Sequence, residues 1–245
     1  GVSPLNALNR EIIDHLEGEL KKRGHNLPVY FGNRNWHPFA SETAEKMSQD
    51  GVRKVAVFAT SAWGGYSACR QYDEDIQQMR EHLAEQGLPD IEFTKIRQFF
   101  NHPKFVVEMA AAVTEVWGQV PEEKKESTRM LFTAHSVPVA HDNVGGVEGD
   151  KNLYSRQVAE ASRLVASQAG ISDYDLVWQS RSGNPRTPWL EPDIVDHTTD
   201  IHHNEGIDTV VVCPIGFISD HMEVIWDLDS ELQKAADEMG VKVLR

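Results

Sequence analysis

A chain of 245 residues, 40% apolar and 25% charged, carries enough material for a sizeable core and for one large or two small domains. No apolar run reaches membrane-spanning length, and no charged, apolar and small-residue leader opens the chain. The net charge of −14 argues against a general nucleic-acid binder, which needs a basic face, and suits a protein that draws in cations. In chain order, Ser3 and Pro4 read as a cap and first-turn proline ahead of a helix over Asn6–Arg23, with Leu8, Ile12, Ile13, Leu16 and Leu20 on one side. Pro28–Phe31 reads as a short strand, Phe39–Gln49 as a helix and Lys54–Ala59 as a buried strand. A loop of small residues over Thr60–Tyr66 carries Trp63 and Tyr66, and Ser67–Gln86 reads as a helix. Ile91–Ile96 reads as a strand and Pro103–Trp117 as a helix.

Pro121–Thr128 is the most polar connector and marks the expected boundary, dividing the chain into residues 1–122 and 123–245. Beyond it, Arg129–Thr133 reads as a strand running to His135, Lys151–Ala169 as a helix and Tyr174–Trp178 as a strand. The long loop Gln179–Pro192 leads to a helix over Asp193–Asn204, a buried strand over Thr209–Cys213, an acidic helix and a last strand over Val241–Leu244. Strands alternating with helices argue for an α/β protein whose parallel sheets are covered on both faces. Two such halves make two doubly wound, Rossmann-like domains with a cleft between them.

The chemistry concentrates near strand ends. Glu223, Asp227 and Glu231 recur every four residues, which in an α-helix stacks them along one face. Such carboxylates repel one another, and a divalent cation would offset the repulsion; most acidic helix faces, however, are simply solvated. Here the row starts where a strand passes into a helix, the place where open α/β sheets bind ligands. His135 ends another strand, and a lone histidine is more often packed or hydrogen-bonded than a ligand. If the two strands are neighbours, His135 and Glu223 face each other, a nitrogen and oxygen donor pair suited to a borderline ion such as ferrous iron. Arg181 and Arg186 in the long loop suit carboxylates on a ligand, although the loop also reads as a rigid connector. Trp63, Tyr66 and Tyr72 suit a flat aromatic ligand or the core. Cys69 and Cys213 make no disulfide framework and fit a reducing cytoplasm, Cys213 as a small buried hydrophobe. A glycine-rich phosphate loop, a nucleophile elbow and zinc-spaced cysteines are all missing from the sequence.

Pro214–Asp227 resembles the signature of the ferrochelatases, enzymes that insert ferrous iron into porphyrins. Thr133–Pro138 resembles that family's histidine motif, and Trp178–Ser180 with Pro188–Leu190 and Pro192–Asp193 resembles a third block. Gly1–Leu5 is similar to the segment before the family's first long helix, so the likeness runs over essentially all 245 residues. Trp63–Ser67 and Val224–Asp229 are similar to the actinobacterial branch, which implies coproporphyrin III as the substrate. The resemblance implies a class II chelatase fold and a cytoplasmic, mostly monomeric enzyme acting on porphyrin and Fe2+. It implies His135 and Glu223 as the pair that handles iron and protons, Asp227 and Glu231 as an acidic path, and Ser3 and Tyr72 as porphyrin contacts. It also implies a further strand and helix ahead of Gly1 and more chain after Arg245. Many actinobacterial relatives hold an iron–sulfur cluster, but two cysteines do not supply four thiolates, so no cluster is expected from this sequence. The alternatives are a protoporphyrin IX ferrochelatase, a chelatase for another metal such as cobalt, and a non-enzymatic porphyrin or haem carrier.

Overall fold

A computed structural model describes residues 4–65, 71–145 and 151–245, so Ser3, Tyr66 and Cys69 lie outside the described residues. The chain separates into two compact units, Gly1–Thr60 with Ser67–Arg97, and Ser61–Tyr66 with Gln98–Arg245. The polar connector expected as the boundary lies within the second unit, where Glu122–Ser127 winds into a 3₁₀ helix.

The first unit contains α1 (Leu5–Lys22), α2 (Ala40–Gln49), β1 (Lys54–Val57), α3 (Gln71–Glu85) and β2 (Glu92–Lys95). The two strands pair in parallel, Lys54 opposite Glu92 through Val57 opposite Lys95. Ala44 and Met47 of α2, Met79 and Leu83 of α3, and Ile91 make the core, with Val55 and Phe93 packed on it. Lys54 and Ala56 are exposed, so the strand expected to be buried alternates instead, its inward residues facing α2 and α3. Pro28–Phe31 is not a strand. Thr43 Oγ1 donates to the Phe31 carbonyl (2.9 Å), and the chain turns so that Asn33 N donates to Pro38 O and Ala40 N to Asn33 O. Pro28 has no N–H to offer a ladder.

The second unit contains α4 (Pro103–Trp117), β3 (Thr128–His135), the short α5 (Val139–Asn143), α6 (Leu153–Ala169), β4 (Tyr174–Gln179) and α7 (Ile194–Glu205). It continues through β5 (Thr209–Cys213), α8 (Met222–Trp226), a π-helical turn (Asp227–Leu232), α9 (Gln233–Met239) and β6 (Lys242–Leu244). Its sheet is wholly parallel in the order β4-β3-β5-β6. Period-two alternation sorts the strands between two apolar layers. Met130, Phe132 and Ala134 face α4 and α6, whereas Leu131 faces α7 and the α8–α9 segment. Val106, Ala110 and Val113 of α4 belong to the first of these layers, which ties residues ahead of the polar connector to this unit. Each fully buried side chain of the Leu131 or Phe132 kind contributes roughly 1.5–3 kcal/mol. The expected α/β class with parallel sheets holds, and this unit is doubly wound.

Candidate active site

The parity that buries Leu131 also decides where the chemistry points. Thr133 and His135 share its face, toward α8 and the π turn, and β4 sends Val177 and Gln179 the same way. β5 neighbours β3, and its exit loop returns to the end of β3, with Gly216 N donating to Thr133 O at 3.1 Å. A Cβ on Gly216 would lie 2.5 Å from Ala134 Cβ and 2.6 Å from Ala134 Cα, so the approach requires glycine. Trp63 Nε1 donates to Gly216 O (2.8 Å) and holds the loop from its other side.

This return brings His135 and Glu223 together. His135 Nε2 stands 3.6 Å from Glu223 Oε1, with both side chains partly open to solvent. His135 Nδ1 donates to the Ser136 carbonyl, which leaves Nε2 turned toward the carboxylate. The hydroxyl of the partly buried Tyr154 donates to His135 O (2.8 Å) and fixes the backbone beneath the ring. Burial pushes the Tyr154 phenol well above its usual range, so it remains a donor.

His221, two residues ahead of Glu223, was not singled out from the sequence. It packs edge-on against Phe217, with ring centroids 5.1 Å apart. Burial holds its imidazole below the ordinary histidine value; Glu223 opposes that shift and His135 adds to it. Its only signal in sequence is its place inside the motif that carries Glu223.

The acidic row departs from expectation. Asp227 is buried, while Glu223 and Glu231 are exposed, so the three do not form one face. Asp227–Leu232 is a π turn, whose i→i+5 bonding breaks the four-residue stacking of an α-helix. Asp227 accepts hydrogen bonds from Gln179 Nε2 (3.1 Å) and from Ser180 Oγ, and Gln179 Oε1 accepts from Thr133 Oγ1 (3.1 Å). Ser180 reaches Asp227 from a left-handed backbone conformation, φ 64°. Neither Gln179 nor Ser180 was expected as a carboxylate partner.

The other expected positions fall elsewhere. Trp63 is 4% exposed and packed among Phe100, Phe105 and Tyr154, with its one donor spent on Gly216, so it is a core residue and offers no free face to a flat ligand. Tyr72 belongs to the first unit, partly buried on α3 with the Arg34 guanidinium 5.4 Å above its ring. The long loop is zipped to the segment after His135 by Val139 N to Pro188 O and Leu190 N to Val137 O, each 3.0 Å, in keeping with a rigid connector. Arg181 donates to Pro185 O and stands 3.6 Å from Glu191, while Arg186 is exposed. Among the described residues no three of His, Cys, Asp and Glu converge as a metal cage. Cys213 is buried in the sheet, its thiol pushed up to about 12 by burial, which suits a packed hydrophobe.

The family model for ferrochelatase matches residues 1–245. The chain belongs to the ferrochelatase family. Among relatives, the chain is 58% identical over 245 residues to a coproporphyrin III ferrochelatase of Corynebacterium glutamicum, covering all of this chain and 66% of that protein. It is 54% identical to one of Nocardia farcinica and 51% identical to one of Mycolicibacterium smegmatis, covering all of this chain and 69% and 70% of those proteins. The chain therefore spans just under two thirds of the Corynebacterium ferrochelatase. Among solved structures, SirB from Bacillus subtilis with Fe3+ aligns at a TM-score of 0.60 and 13% identity, over 96% of this chain and 81% of that one. SirB of Bacillus subtilis subspecies spizizenii in complex with cobalt aligns at 0.57 and 14%, over 96% and 80%. These likenesses support the chelatase-type fold of this ferrochelatase chain.

Proposed function

We propose that the protein inserts ferrous iron into coproporphyrin III, giving the iron porphyrin and two protons. The observation that carries the reading is His135 Nε2 facing Glu223 Oε1 at 3.6 Å across the carboxyl ends of β3 and β5. The similarity to coproporphyrin III ferrochelatases supports the choice of porphyrin. Iron is a substrate that must leave with the product. The pair would hold iron before it enters the ring, and the Nε2 lone pair would be free for a pyrrole proton once iron passes to the ring nitrogens.

Two pyrrole N–H groups lose their protons as iron enters. In this reading His135 Nε2 accepts a proton in the transition state, and Glu223 stabilises the imidazolium and takes the proton on. The Nδ1 bond to Ser136 O keeps the ring in the tautomer this step requires. In this reading Asp227, held by hydrogen bonds from Gln179 Nε2 and Ser180 Oγ, is the next carboxylate of the acidic path, and Glu231, off that face, is a separate carboxylate open to solvent. Binding energy from the porphyrin periphery bends the ring and bares its nitrogens. Ser3 and Tyr72 are the porphyrin contacts in this reading. The protein acts as a cytoplasmic monomer, in keeping with a cysteine content that builds no disulfide framework.

The test is anaerobic steady-state metallation by the full-length protein, with ferrous iron and either coproporphyrin III or protoporphyrin IX. Many turnovers and a higher kcat/KM for coproporphyrin III are expected. Product that stops at one equivalent would identify a porphyrin carrier, and preference for protoporphyrin IX would overturn the substrate assignment.

A further inference from the structure

The segment from Asp220 to Asp229 holds four carboxylates, Asp220, Glu223, Asp227 and Asp229, in ten residues. Crowding of this kind drives a chain apart unless cations or hydrogen-bond donors hold it. Asp227 is met by Gln179 and Ser180. Asp220 and Asp229 are met by one side chain, Arg245. Its Nε and Nη2 donate to Asp229 Oδ1 and Oδ2 at 2.8 and 2.7 Å, and its Nη1 and Nη2 donate to Asp220 Oδ1 and Oδ2 at 2.9 and 3.2 Å. The guanidinium thus grips two carboxylates at once, its own side chain 19% exposed and those of Asp220 and Asp229 41% and 45% exposed.

Topology explains why the grip bears on the site. β6 runs parallel to β5 with Leu244 opposite Val211, so Arg245 emerges at the same end of the sheet as the β5 exit loop. Asp220 sits in that loop three residues ahead of Glu223, and Asp229 lies in the π turn just beyond α8. α8 is the first turn of one unbroken helix that runs through the π turn into α9, and it carries Glu223. Its two flanks are joined to each other through Arg245, and Glu223 lies between them.

We propose that Arg245 is a positioning residue: by tying Asp220 to Asp229 it holds Glu223 within reach of His135. This rests on the iron-insertion reading for its kinetic consequence, but not for its geometric one. In the full-length enzyme, Arg245→Met is expected to lower kcat about tenfold to a hundredfold, the cost of displacing a reacting group by about an ångström, with KM for porphyrin within about twofold of native. Arg245→Lys is expected to recover part of the loss, since a point charge cannot fork to two carboxylates. The double variant R245M/E223Q is expected to be no slower than E223Q alone, because Arg245 acts through Glu223. A kcat for R245M within about twofold of native, or a loss that multiplies fully with that of E223Q, overturns the proposal. If R245M does not fold, Asp220→Asn cuts the same tie while leaving the Arg245–Asp229 pair, and native turnover there overturns it equally. If native enzyme metallates no porphyrin, the functional reading falls and the clamp is judged by a crystal structure of R245M: a Glu223 carboxylate displaced from His135 upholds it, and one still 3.6 Å away overturns it.

Discussion

His135 carries the heaviest assignment on the fewest atoms. Its ring is partly open, its Nδ1 is committed to Ser136 O, and its Nε2 faces a carboxylate, so removing the ring leaves the surrounding packing largely intact. His135→Ala is expected to cost about a hundred- to ten-thousandfold in turnover, the usual worth of a general base, while porphyrin affinity by fluorescence titration stays close to native. Near-normal turnover would take His135 out of the mechanism. Asp227 differs because it is buried and accepts from two donors. Asp227→Asn removes the charge but keeps the shape, and should raise KM for iron more than KM for porphyrin. An iron dependence identical to native would end any role in ion or proton transfer. His221 and the partners of Asp227 show where reading residues one at a time falls short: each became visible only when the β5 exit loop folded back over β3. Trp63 shows the converse, since an aromatic side chain near a strand end looks the same in sequence whether it meets a ligand or Gly216 O.

Elements were readable to the degree that their own residues decide them. The apolar run Thr209–Cys213 is buried at every position, and Asp193 caps α7 by accepting from Val195 N at 2.8 Å. Pro28–Phe31 and the outward half of Lys54–Ala59 were misread because burial depends on which helices cover a strand, and that is tertiary information. The π turn left no signal either, since Asp227–Leu232 has ordinary helical composition and its extra residue is accommodated by packing of Leu228 and Leu232 into the sheet's second layer. Gly216 is the element-joining residue most open to test. Ala in its place would meet Ala134 Cβ and Cα well inside contact distance, and Ala134 Cα belongs to a backbone in the middle of the sheet that cannot swing aside. Gly216→Ala is expected to cost about 1–3 kcal/mol of stability by overpacking, read as a lowered thermal midpoint, and to slow iron insertion by shifting the exit loop that leads to Glu223. A native midpoint together with native turnover would show that the loop does not need this approach.

The second unit keeps its candidate chemistry at one end of its sheet and a second cluster of structural charges at the other. At the carboxyl ends stand His135 and Glu223; toward the amino ends, Arg129 of β3 donates to Asp175 of β4 (2.8 Å) and to Glu205 of α7 (2.7 Å), and Asp175 lies 2.9 Å from His197 Nε2. His197 first, then Arg129, holds the Asp175 carboxyl below its ordinary range, against the opposing effect of burial. A carboxyl with a depressed folded pKa contributes stability above its unfolded value of about 3.9, and that contribution is lost as pH falls through the lower folded value. Stability from this group is therefore flat from neutral pH down to about pH 5 and declines below about pH 4. Asp175→Asn is expected to cost about 1–3 kcal/mol at pH 7, the worth of hydrogen bonds to charged groups, and to make the acid limb of a denaturant-midpoint profile shallower than native. Because the network is remote from the His135–Glu223 pair along the strands, the same variant should keep native kcat at a temperature where it remains folded. An unchanged acid limb would show that Asp175 titrates alike in the folded and unfolded chain. A fallen kcat in folded protein would show that the two ends of the sheet are coupled, against the division of labour its topology supports.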